Sequence, residues 1–156
     1  MKLRPQGLLF LLTLMLFSTA CAQSRRVVKS GMAYAKVLGA TSERYLPGRA
    51  ESQPITNYRI TIQWQSMSKP TGFFWRPESG LMNCLVVKPG GSDVDVAPES
   101  LRPNQTVDLV PTPDATRTPI PSFVSASVPN TLFFQIGKTW YAIPVKLTKK
   151  QDLIAQ

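Results

Sequence analysis

Histidine is absent from the 156-residue chain, and cysteine occurs only twice. Without His there is no Ser-His-Asp triad, no HExxH helix and no Cys/His zinc site. Acidic residues are scarce too, nine against eighteen Lys and Arg. The apolar run at residues 8–17 (LLFLLTLMLF) is too short to cross a hydrocarbon core of about 30 Å as a helix. Glycine (9) is outnumbered by proline (14), which argues against a helical bundle and for many short strands with irregular connections. At 43% hydrophobic and 17% charged, the chain reads as one domain, two at most, neither disordered nor polytopic.

The first residues read as an export signal. Lys2 and Arg4 precede the apolar run, and Ala20 and Ala22 supply the A-x-A pattern, so cleavage is expected before Gln23. A rival reading is lipidation at Cys21, against which Ser18 stands where a lipoprotein signal normally has an aliphatic residue. Removing 22 of the 156 residues leaves 134, with 16 basic and 9 acidic side chains. A chain of that size buries enough surface to fold without a metal or a disulfide. Cys84 then has no thiol to pair with. It lies in an apolar run (residues 81–87) with no His to lower its pKa, which excludes a cysteine hydrolase.

The clearest local signal is at residues 58–64. Tyr58, Ile60, Ile62 and Trp64 alternate with Arg59, Thr61 and Gln63, the period of a strand with one buried face. A slip of one residue would bury an arginine, so the register is well specified. Before it, residues 27–38 read as a strand and residues 39–57, rich in turn formers, as a long loop. After it come strand candidates at 73–76, 81–88, 93–97 and 106–110, separated by Pro/Gly turns. Residues 111–130 hold five prolines and read as an extended strap across a sheet edge, with a flexible linker as the alternative.

Residues 132–147 read as a hairpin. Gly137-Lys138 suits a two-residue type II′ turn, with Ile136 opposite Thr139, Phe134 opposite Tyr141 and Leu132 opposite Ile143. The expected fold is all-β: a small antiparallel β-sandwich, Ig-like in general architecture, with a partly open β-barrel as the alternative. The chain divides into a signal peptide (1–22), an N-terminal strand and loop (23–57), a core (58–148) including the strap 111–130, and a flexible tail (149–156). Ser30-Gly31-Met32-Ala33-Tyr34-Ala35, Leu46-Pro47-Gly48-Arg49 and the 58–64 strand together resemble small exported β-rich proteins of Bacteroidota with no assigned activity. That resemblance implies an envelope or secreted setting and carries over no functional residue.

Motifs with a catalytic ring do not withstand their context. Gly137-Lys138-Thr139 matches the end of a P-loop, but Leu132 stands where the first glycine is required, and a hairpin turn cannot cradle a phosphate. Asp93 and Asp95 share one side of a strand candidate and are better read as charges that discourage edge pairing than as a catalytic pair or a Ca²⁺ site. The aromatics are more suggestive. Phe73, Phe74 and Trp75 are consecutive, so both faces of that strand carry rings, and Phe133 and Trp140 fall opposite the main apolar stripe of the hairpin. Phe73, Trp75, Arg76, Phe133, Lys138 and Trp140 are therefore the candidate binding residues, weighed against the ordinary alternative that the rings are core.

The expected function is surface binding without catalysis, as an accessory or adhesion-type component of the cell envelope. An alternative is a carbohydrate-binding module using exposed Trp rings, and a third is a hydrolase with carboxylate catalysis. No cofactor or metal is expected. The expected partner is an envelope protein or glycan rather than nucleic acid, since the bases are spread along the chain without a recognition motif.

Overall fold

The computed structural model describes residues 28–48, 53–78, 80–90, 94–112 and 129–154. The segment expected to be a signal peptide, with Cys21, and Asp93 and most of the Pro-rich segment (residues 113–128) lie outside the described residues.

The alternation at residues 58–64 marks one strand of a fold that is all-β among the described residues. Its strands are β1 (Lys29–Ser30), β2 (Ala35–Leu46), β3 (Ile55–Trp64), β4 (Gly72–Arg76), β5 (Met82–Val87), β6 (Gln105–Thr112), β7 (Thr131–Ile136), β8 (Thr139–Pro144), β9 (Thr148–Lys149) and β10 (Leu153–Ile154). They form one sheet in the order β1-β8-β7-β4-β5-β6-β3-β2-β10, with β9 also paired to β2. The sheet curls into a half-barrel, so of the two architectures expected the partly open barrel fits, and there is no second stacked sheet among the described residues. All pairs from β2 to β8 along the path are antiparallel, while β1, β9 and β10 join in parallel.

The concave face holds the core. Ile60, Ile62 and Trp64 of β3, Phe73 and Trp75 of β4, Val107 and Leu109 of β6, and Leu132 and Phe134 of β7 are all buried there. Each such side chain contributes about 1.5–3 kcal/mol when fully removed from water. Trp64 meets Phe73 edge-on at 5.9 Å and Phe134 at 5.4 Å, a geometry that favours the ring quadrupoles. On the convex face, Asp108 of β6 is buried and accepts hydrogen bonds from Arg59 Nη1 (2.8 Å) and Thr61 Oγ1 (2.7 Å). That pair of donors is what allows a carboxylate there.

Two local expectations are corrected. The segment 39–57, expected as a loop, is mostly strand: β2 runs to Leu46 and β3 starts at Ile55. The tail beyond residue 148, expected to fray, instead supplies β9 and β10, which pair with Thr41–Ser42 and Tyr45–Leu46. Of the 93–97 candidate, the described residues 94–97 form an isolated bridge between Asp95 and Val87. The hairpin is as read: Leu132 opposes Ile143, Phe134 opposes Tyr141, Ile136 opposes Thr139, and Gly137 has the positive φ (57°) that the first turn position requires.

The two ends of the half-barrel differ. At one end the loops fold over the core. Leu101 is fully buried, Lys69 Nζ donates to the Leu101 carbonyl (2.9 Å), and Trp64 Nε1 donates to the Ser68 carbonyl (3.2 Å). The Tyr34 ring packs on Trp64, Phe134 and Tyr141 at the same end. Among the described residues, the opposite, open end is formed by the second half of β2, the start of β3 and the chain after β8.

Candidate functional site: the open end of the half-barrel

Along each inward-facing row the chemistry changes as the strand leaves the core. On β3 the row runs Trp64, Ile62, Ile60, then Tyr58 and Thr56; on β2 it runs Ala40, Ser42, Arg44. The registers Ser42–Tyr58 and Arg44–Thr56 set these polar residues side by side on one face. Together with Asn130 before β7 and Val145 and Leu147 after β8, they line a cavity of about 950 Å³ at the open end. That is the size range of small-molecule sites, which favour the mouths of barrels.

The rim is charged. Arg44, Lys146, Lys149 and Lys150 line the cavity with Glu78 and Asp152. The tail strand β9 holds the lysines here: Lys149 pairs with Ser42 along the backbone, and Lys150 N donates to the Ser42 carbonyl at 2.8 Å. The Tyr58 hydroxyl is pushed above its ordinary pKa by burial and then by the negative charge of Glu78. It therefore keeps its proton at neutral pH and can donate as well as accept. Beneath it lies Trp75, ring centroid 5.7 Å from that of Tyr58. Trp75 is fully buried, and its indole N–H has no hydrogen-bond partner among the described residues.

The six residues singled out from the sequence do not form one surface. Phe73 and Trp75 face the core and are buried. Phe133 and Trp140 lie on the convex face, where they form a second cluster with Phe74, Leu81, Ala142 and Val28 packed against them. The Trp140 ring lies tilted against Phe74 with centroids 5.0 Å apart, and Trp140 and Phe133 are both buried. Arg76, on β4 opposite Thr131, is half-buried, and Lys138 is exposed in the hairpin turn. The rings are thus packed rather than displayed, because a curled sheet with apolar rows on both faces gives each row something to cover. The residues of the open end, Ser42, Arg44, Thr56 and Asn130, were missed because small and polar side chains carry no hydrophobic period.

The groups considered for catalysis stand elsewhere. Cys84 faces the core and burial pushes its thiol pKa far up, so it is held protonated. Asp95 is exposed, at its bridge with Val87. No helix among the described residues is long and apolar enough to cross a membrane. Compared with known protein families, with characterised proteins and with solved structures, the chain shows no match.

Proposed function

We propose that the protein is an exported, non-enzymatic binding domain, an accessory or adhesion-type component of the cell envelope, and that it binds through the open end of the half-barrel. The observation that carries this reading is the cavity lined by Ser42, Arg44, Thr56, Tyr58 and Asn130, where the inward rows turn from apolar to hydrogen-bonding. Export is supported by the charged, apolar and small-residue segments of residues 1–22. The exposed-ring version of carbohydrate binding is less favoured, since Trp75 and Trp140 are both buried.

The test is capture from a native envelope extract on the immobilised protein, run in parallel with the double variant Arg44→Glu/Lys149→Glu and with Lys138→Glu at the far end. Material retained by the wild type and by Lys138→Glu but lost on the double variant supports the reading. Equal retention on all three places recognition elsewhere and refutes it. The mass of the exported product checks the leader: a chain starting at Gln23 is expected, and a lipid-modified chain starting at Cys21 would replace soluble export with anchoring.

A further inference from the structure

We infer that the open end is a site for an acidic sugar, a glycan unit carrying a carboxylate or sulfate among its hydroxyls. The inference rests on the open end being the binding face and adds the chemistry of what it takes. Three features converge. The rim pairs an excess of cations, Arg44, Lys146, Lys149 and Lys150, with two carboxylates, Glu78 and Asp152. A ligand that is anionic throughout would be repelled by those carboxylates, whereas a sugar offers hydroxyl donors to them and an anionic group to the cations. The inner wall supplies neutral donors and acceptors, Ser42, Tyr58 and Asn130, with Val145 and Leu147 as its apolar part. That is too little apolar surface for an acyl chain. Below Tyr58, the buried Trp75 indole N–H lacks an acceptor among the described residues. Leaving such a group unpaired is costly, and an oxygen of a ligand or its water entering past Tyr58 would satisfy it.

The experiment measures binding of trigalacturonate, a sulfated galactotriose and neutral galactotriose to the full protein by calorimetry at about 0.15 M salt. Both acidic sugars are expected to bind, and the neutral one about tenfold or more weakly, the loss of one charge-assisted contact. Arg44→Gln/Lys149→Gln should remove that preference. Tyr58→Phe should weaken all binding with the melting temperature held. Tryptophan fluorescence should change on binding in the wild type and change less in Trp75→Phe. Neutral sugar binding as tightly, with sensitivity to Tyr58→Phe alone, overturns the acidic class while leaving the open end as the binding face. Acidic sugars bound with no effect of Tyr58→Phe and complete loss in high salt overturn it in favour of plain charge attraction. No sugar bound at all also overturns it, while the envelope capture separately decides whether the open end binds anything.

Discussion

Gly31 is the position at which one added methyl group should be felt most. It lies between β1 and β2, where the chain crosses the covered end of the half-barrel. A Cβ built there would meet Phe134 Cε1 at 2.5 Å, Phe134 Cζ at 2.8 Å and Ile143 Cγ1 at 2.9 Å. Neither side has room to yield. Gly31 N donates to the Ala142 carbonyl (2.9 Å), and its own carbonyl accepts from Tyr34 N (2.9 Å) and Ala35 N (3.2 Å), so the backbone is held on both sides. The Phe134 ring is stacked on Tyr141 at 5.2 Å and abuts Trp64 and Phe73. Overpacking of this kind costs about 1–3 kcal/mol. For a domain of this size each kcal/mol lowers the melting temperature by roughly 3–5 °C.

Gly31→Ala should therefore melt several degrees below the wild type in a thermal scan followed by circular dichroism. Gly39→Ala is the control. Nothing lies within 4 Å of a Cβ there, so it should be neutral, or gain about 0.4–1 kcal/mol by restricting the unfolded chain. A Gly31→Ala protein as stable as the wild type would refute the packing argument for the covered end.

Trp140→Ala and Trp75→Ala should each lower stability by about 3–5 kcal/mol in urea titrations, since both rings are buried. An unchanged midpoint for either would return that ring to the surface. Stability should also fall in alkali. The Tyr141 hydroxyl is raised by its hydrogen bond with Tyr34 and by burial, Tyr58 by burial and Glu78, and Cys84 by burial. Groups raised in the folded state favour folding in full below their unfolded pKa, and lose that contribution as pH climbs through the folded value. Urea midpoints should hold up to about pH 8.5, where unfolded cysteine begins to ionise, and then decline. Cys84→Ala should delay the onset towards the tyrosine range, about pH 10. A midpoint flat to pH 11 would contradict all three assignments.

The parts of the fold legible in the sequence are those where side-chain size alternates. Tyr58, Ile60, Ile62 and Trp64 announce a strand because a large apolar residue recurs at every second place, and the β7–β8 register follows from one glycine and two apolar pairs, Leu132–Ile143 and Phe134–Tyr141. The first half of β2 was legible only in part, since Gly39 follows a β-bulge between Val37 and Gly39 that breaks the parity. Its second half, Thr41 to Arg44, carries no hydrophobic period. β9 and β10 were invisible for another reason. Two-residue parallel strands take their stability from an edge that β2 supplies across the fold, which no local pattern records.

The same logic explains why rings on both parities of β4 pointed to a binding surface. In a flat sheet with one face in water, Phe73 and Trp75 on one parity and Phe74 on the other would leave a ring exposed. Curling changes the premise. The concave row meets its counterparts from β3 and β7, as the Trp64, Phe73 and Phe134 contacts show. The convex row meets Phe133 on β7 and Trp140 on β8 beyond it, with the tilted Phe74–Trp140 contact at its centre. Large rings therefore mark where this sheet is packed. Its inward-facing hydrogen-bonding side chains come where those rows run out of apolar residues, at Ser42, Arg44 and Tyr58. For a sheet of this curvature the change of side-chain type along one parity, rather than the presence of aromatics on both, is the signal to read.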